Sequence, residues 1–274
     1  MNAEKIIPIV VSFDKNYIPY AKVAVNSILS KCSSKIKLYC FGLDLDENDF
    51  DYFRDLMLKH GGFFEGVHFN SGQLLEFNGT AYITKATYLR IFIPNFVKES
   101  KVIYVDCDTL FFQDITELYD ISLEGNAIMG AEDWSSINLS ISEFNRVEKL
   151  ELPKDECYIN CGIIVLDTDY LRKIDFIKLC HEINIKYKDR LKYVDQCIIN
   201  KALEGKKKIM SLNWNFQFLA AHQSLSHILP MPAVHSVGED KIWIASKAQP
   251  LNHDIWVSGA LSYGLTKEEI GIRP

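Results

Sequence analysis

Several things are missing from this sequence, and each absence removes a class of protein. No apolar run approaches the roughly 20 residues a membrane-spanning helix needs. The N-terminal stretch MNAEKIIPIVVSFDKNY meets Asp14 too early for a secretory-signal core and has no small-residue cleavage pattern. There is no basic excess: 30 Lys and Arg stand against 36 Asp and Glu, a formal charge of -6, so nucleic acid is not an expected partner. The seven cysteines are odd in number and form no CxxC pair, which favours thiols in a reducing cytosol over a disulfide framework. No GxGxxG follows the first apolar run, which counts against a dinucleotide oxidoreductase. Internal repeats and low-complexity linkers are absent too. What remains is 274 residues of ordinary globular composition, 48% hydrophobic, enough for one large α/β domain or at most two small ones.

The order of patterns along the chain sets the fold class. Ile6 to Phe13 is nearly all apolar, as a strand buried on both faces must be. Tyr20, Ala21, Ala24, Val25 and Ile28 recur at helical spacing. Strands are expected again at Lys37–Phe41 and Phe63–Phe69, with a helix over Asp49–His60 between them, stopped by Gly61-Gly62. This alternation predicts a parallel sheet with helices on both faces. Further along, Tyr82–Phe96 reads as helical up to Pro94, and Lys101–Val105, Ala127–Ala131 and Tyr158–Leu166 as strands. Trp134–Pro153 reads as a loop, and Tyr170–Tyr187 and Asp195–Leu203 as helices. Beyond Gly205 the pattern is weak.

Chemistry concentrates where strands end. Lys101-Val-Ile-Tyr-Val-Asp106-Cys107-Asp108 closes an apolar strand with two carboxylates two residues apart. In extended backbone such residues point the same way, so both can face one hard divalent cation. Ligands of open α/β sheets bind at that edge. Ser12, Asp14, Asn16 and Tyr17 close the first strand with polar groups and a ring suited to a base, although Asp14 or Asn16 also reads as a helix cap. Asn160 and Gly162 open a later apolar strand, where the glycine allows a close approach or marks a bulge. Asp195-Gln196 begins a helix. His235-Ser-Val-Gly238-Glu-Asp-Lys241-Ile-Trp243 places an imidazole, a glycine and a cation in one loop.

Taken in order, these segments resemble retaining glycosyltransferase family 8, over about Ile6 to Trp243. The resemblance implies a GT-A fold: an α/β, single Rossmann-like nucleotide-sugar-binding domain with a central, mostly parallel sheet. Residues 1–110 would mainly serve the nucleotide, and residues 111–274 the acceptor side and the completion of the metal site. It further implies Mn²⁺ (or Mg²⁺) held by Asp106, Asp108 and His235, and a UDP-hexose donor. The uridine segment maps onto Ser12, Asp14, Asn16 and Tyr17, with Ile83 as an apolar wall. Arg90, Cys107, Asn160 and Gly162 fall near the diphosphate and donor sugar, and Gly238 and Lys241 on the diphosphate. Asp195 and Gln196 match the pair near the reacting carbon, and Asp133 an acidic residue near the acceptor. Ile242 stands where the family pattern usually has proline, and Cys197 where an acidic residue often follows Gln196.

The activity implied is transfer of galactose or glucose from UDP-galactose or UDP-glucose to a saccharide acceptor, with retention at the anomeric carbon. In the bacterial branch that acceptor is often a lipid-linked oligosaccharide of lipopolysaccharide or lipooligosaccharide synthesis. The expected place of work is therefore the cytoplasm, at most with peripheral contact to the inner membrane face. Two rival readings share the architecture. One is a sugar-phosphate nucleotidyltransferase, disfavoured because Ser12–Tyr17 holds no glycine. The other is a nucleotide-sugar-binding protein of weak catalytic power.

Overall fold

The computed structural model describes residues 5–77, 84–134, 150–153, 155–224 and 231–272. Its strands are β1 (Ile6–Asp14), β2 (Lys35–Leu43), β3 (Phe63–Phe69), β4 (Lys101–Val105), β5 (Thr109–Phe111), β6 (Ile128–Glu132), β7 (Ile159–Asp167), β8 (Lys207–Ile209), β9 (Phe216–Phe218) and β10 (Ala233–Ser236). Seven of them form one sheet in the order β3-β2-β1-β4-β7-β6-β8. All run parallel except β7, which is antiparallel to both neighbours.

The sheet forms where it does because its strands are dry on both faces. Every residue from Ile7 to Phe13 of β1 is buried. Val10, Tyr39, Tyr104 and Ile164 pack on one side; Ile9, Val11, Leu38, Ile103, Val105 and Ile163 pack on the other. Each such side chain contributes about 1.5–3 kcal/mol when fully buried, so the strand ends are held on a rigid base. The helix Ile18–Leu29 starts with Pro19 in its first turn and buries Ala21, Val25 and Ile28 against the sheet.

Topology sets the position of the functional edge. β1 lies between β2 and β4, so the strand order reverses there, and the carboxyl ends of β1 and β4 open a crevice at this switch point. The reversed direction of β7 brings its first residues to the same edge: Val105 pairs with Ile163, and the Asp106 N–H donates to Gly162 O at 2.7 Å. A second, three-stranded sheet, β5-β10-β9, pairs Thr109 with His235 and His235 with Gln217. Its own core of Leu110, Phe218, Val234 and Trp256 ties in the helix Pro250–Ser262.

Two expectations need correction. Lys85–Phe92 is a 3-10 helix, and only Ile93–Phe96 is an α-turn, opened rather than closed by Pro94. The expected helix Tyr170–Tyr187 is two helices, Thr168–Lys173 and Phe176–Tyr187, broken at Asp175, whose φ is +51°. The three strands β8, β9 and β10 and the helix Pro250–Ser262 lie in the region read as weakly patterned. Most of the expected loop Trp134–Pro153 lies outside the described residues. No described helix is long and apolar enough to cross a membrane.

Candidate active site

A cavity of about 520 Å³ opens at the switch point, well within the range of small-molecule pockets. Asp106 directly follows β4 and Asp108 leads into β5, so the triplet spans the junction of the two sheets. Because β5 pairs with β10, His235 faces both carboxylates: its Nε2 lies 3.1 Å from Asp108 Oδ1 and 3.9 Å from Asp106 Oδ2. One ligand atom from each of the three residues lies within 4.8 Å of the others, a spacing that could hold a metal ion.

The surrounding charges keep these groups in place. Asp106 Oδ1 accepts from Tyr104 Oη at 2.7 Å and from Arg90 Nη2 at 2.9 Å. Since the Tyr104 proton goes to Asp106, the 2.7 Å contact between Ser12 and Tyr104 must be donated by Ser12 Oγ. Asp108 Oδ2 meets Lys241 Nζ at 2.5 Å, whereas its buried Oδ1 receives no hydrogen bond. Burial alone would raise the Asp108 carboxyl, but Lys241 and His235 outweigh it and hold the group well below the usual carboxylate range. An acceptor oxygen left bare beside an imidazole nitrogen suits a cation.

Arg90 is buried and stacks over the Tyr104 ring at 4.4 Å. All five of its N–H groups meet protein acceptors: Thr87 O and Oγ1, both Asp106 oxygens and Cys161 O. It borders the cavity, but its donors are spent on positioning Asp106 and the wall around Asp195. Asp195 accepts from Thr87 Oγ1 at 2.8 Å, and its Oδ2 lies 3.0 Å from Arg90 Nε without an in-line hydrogen bond. Burial pushes the Asp195 carboxyl up to about 6, against the pull of Arg90 and Thr87; one guanidinium is shared between two carboxylates. A folded-state value above the unfolded one means the fold binds this proton more tightly, so the group costs stability as pH rises from about 4 to about 6. We expect the stability of wild type relative to Asp195→Asn to fall by about 1.4 kcal/mol per pH unit across that window and to level off above it. Urea denaturation at pH 4.5 to 7.5 measures this, and parallel curves for the two proteins would refute it.

The other expected site residues divide cleanly. Ser12, Tyr17, Cys107, Asp133, Asn160, Gly162, Gln196, Gly238 and Lys241 line the cavity. Asp14 and Asn16 do not: the Asp14 carboxylate accepts from the Asn16 N–H and caps a short 3-10 turn, the capping role that the sequence also allowed. Ile83 lies outside the described residues. Gln196 is pinned at both ends of its amide, Oε1 accepting from the Cys161 N–H at 3.1 Å and Nε2 donating to Asp133 Oδ2 at 3.0 Å. Gly238 sits at φ +82°, which requires glycine. Ile242 keeps an N–H that proline would lack, and it donates to Ser236 Oγ at 3.2 Å. Cys197 is buried behind the wall, 3.1 Å from Tyr158 Oη. Tyr17 meets Trp243 edge-on at 6.0 Å, and Trp243 stacks on Tyr20 at 3.7 Å.

Sequence reasoning missed Tyr104 and Thr87. Tyr104 was legible, since i and i+2 of β4 put its ring on the side of Asp106; Thr87 was not, because its contacts depend on the 3-10 geometry.

The family model for glycosyl transferase family 8 matches residues 8–246. A putative glycosyltransferase of Haemophilus influenzae is 24% identical over 242 residues, 86% of this chain and 72% of that protein. General stress protein A of Bacillus subtilis is 25% identical over 269 residues, covering 91% and 92%. The crystal structure of the galactosyltransferase LgtC with donor and acceptor sugar analogs superposes with a TM-score of 0.83 at 22% identity, over 96% of this chain and 98% of that one. That likeness carries the fold, and the family model carries the kinship. The chain belongs to glycosyl transferase family 8 and is a glycosyltransferase of GT-A fold.

Proposed function

We propose that the protein is a retaining, metal-dependent hexosyltransferase that moves galactose or glucose from a UDP-sugar to a saccharide acceptor. One observation carries this reading: two carboxylates and an imidazole converge at the switch point, with a bare buried oxygen on Asp108 and a lysine alongside. Residues 1–110 mainly serve the nucleotide; residues 111–274 supply the acceptor side and complete the triad through His235. Mn²⁺ or Mg²⁺ held by Asp106, Asp108 and His235 would offset negative charge on the β-phosphate as its bond to the sugar breaks.

The chain's own groups do the rest. Lys241 supplies a point charge to the diphosphate. Asp195 Oδ2, buried and without a hydrogen bond, accepts from a donor-sugar hydroxyl. Gln196 has a neutral amide tied to Cys161 and Asp133. It is a poor nucleophile and a fixed dipole beside the reacting carbon. The acceptor hydroxyl therefore attacks from the face the UDP leaves, the sugar–phosphate bond breaks, and the departing phosphate takes the hydroxyl proton. The acceptor we favour is a lipid-linked saccharide of bacterial surface-glycan synthesis, reached from the cytoplasm at the inner membrane face.

The test is a screen of UDP-sugars with Mn²⁺ and with EDTA. Expected is release of free UDP from UDP-galactose or UDP-glucose, dependent on metal and accelerated by the right acceptor. Pyrophosphate formation from UTP and a sugar phosphate would identify a nucleotidyltransferase instead. Binding of a UDP-sugar with no turnover on any donor would leave only a binding protein.

A further inference from the structure

His235 reaches the metal triad through Nε2, and its other nitrogen has its own partner. Nδ1 lies 3.1 Å from Oδ1 of Asn215, a fully buried residue at the end of the 3-10 turn Leu212–Asn215. Asn215 Nδ2 donates to Asn160 Oδ1 at 3.0 Å, and Asn160 Nδ2 donates to Asp133 Oδ2 at 3.2 Å. Four side chains from four parts of the chain thus form one line.

The direction of this line follows from chemistry. Side-chain amides read equally well either way round unless something fixes them. Two things do. A carboxylate only accepts, so Asn160 must turn its NH₂ to Asp133. Independently, the backbone N–H of Gly162 donates to Asn160 Oδ1 at 2.9 Å, and a backbone N–H cannot reverse. With Asn160 oriented, its oxygen demands the NH₂ of Asn215, so the Asn215 oxygen faces His235. An oxygen there requires an imidazole proton on Nδ1, and in the neutral ring this leaves Nε2 with its lone pair facing Asp106 and Asp108.

The alternative tautomer has a real pull. With the proton on Nε2, the ring would donate to Asp108 Oδ1 only 3.1 Å away and would offer no lone pair to a cation. Metal-ligating histidines are commonly oriented through their second nitrogen, and loss of that partner typically costs 10–100-fold in affinity.

We infer that Asn215 is a positioning residue which, through Asn160 and Asp133, fixes His235 in the tautomer able to ligate a divalent cation. The inference rests on the proposed metal site and deepens it. It also joins the two ends of the cavity, because the Asp133 oxygen that anchors the line holds Gln196 as well.

The test begins without a variant. In metal-free, ¹⁵N-histidine-labelled protein at pH 8, with His235 assigned by its absence from His235→Gln, the proton is expected on Nδ1 and the lone pair on Nε2. An Nδ1 without a proton overturns the inference. Mn²⁺ binding is then followed by the EPR signal of free Mn²⁺. Asn215→Leu, similar in size but without polar atoms, is expected to bind Mn²⁺ roughly 10–100-fold more weakly and to lose the single-tautomer signature. Asn215→Asp, which still accepts from Nδ1–H although it loses the donor to Asn160 Oδ1, is expected to bind Mn²⁺ more tightly than Asn215→Leu. Wild-type affinity in Asn215→Leu, or equal losses in both variants, overturns the positioning role. Asp108→Ala separates the two levels: wild-type Mn²⁺ binding there refutes the metal site itself, while loss there with none in Asn215→Leu refutes only the role of Asn215.

Discussion

Asp108→Ala is expected to lower sugar transfer by about three orders of magnitude or more and to remove its dependence on added Mn²⁺. A metal ion at a reacting phosphate contributes several kcal/mol of charge stabilisation, and each 1.36 kcal/mol is tenfold in rate. Asp108 sits at the centre of that arrangement. One of its oxygens faces His235 with no hydrogen bond, and the other holds Lys241. Removing it takes away a ligand and, in the same step, frees the lysine that the carboxylate keeps at the cavity wall. Lys241 is partly exposed and can turn to solvent, so the fold should survive with little loss. Initial rates over a Mn²⁺ titration, with a melting curve alongside, make the measurement. A variant that transfers sugar at the wild-type rate with the same metal dependence would remove Asp108 from the mechanism.

The second large effect should come from a single methyl group. A Cβ added to Gly162 would fall 2.1 Å from Cε1 and 2.5 Å from Nδ1 of His235, far inside contact distance. The imidazole cannot absorb this in place. It is buried, and its backbone is locked between β5 and β9. Gly162→Ala should therefore push the ring off its position. A misplacement of about 1 Å at a reacting geometry costs on the order of 100-fold in rate, and overpacking adds about 1–3 kcal/mol of instability. Gly259→Ala is the control: nothing lies within 4 Å of its added Cβ, and its helical position favours alanine by about 1 kcal/mol. If Gly162→Ala matched this control in rate and melting temperature, the close approach of glycine and imidazole would have no functional weight.

The residues that were legible in advance share a physical reason. β1, β4 and β7 are buried on both faces, so their apolar runs stand out and their ends locate Ser12, Asp106 and Gly162 without any knowledge of packing. The helix over Ile18–Leu29 has the ordinary apolar spacing. β8, β9 and β10 have only three or four residues each, too few to show a period, and the last helix buries Asn252 along with Trp256 and Ala260, which blurs its apolar stripe. Side-chain duties divide the same way. That Asp106 and Asp108 could share a cation follows from alternation along a strand. That Arg90 would spend every donor on the protein, or that Asn215 would meet His235, depends on segments far apart in sequence and leaves no local trace. Asp14 shows the limit from the other side: a carboxylate closing a strand next to a candidate site serves as the cap of the next turn.

The pairing of β5 with β10 has a consequence for how the molecule comes into being. Asp108 and Lys241 are 133 positions apart, and the strand that carries His235 is added after all seven strands of the large sheet. During synthesis at about 5–20 residues per second, the parallel strands and their helices leave the ribosome before the segment that carries His235 and Lys241. Chemical competence arrives only when the late strand finds its register, and a slip of one residue there would turn His235 to the opposite face of its sheet. A nascent chain thus lacks its full set of site residues until the strand that carries His235 and the loop that carries Lys241 have been made.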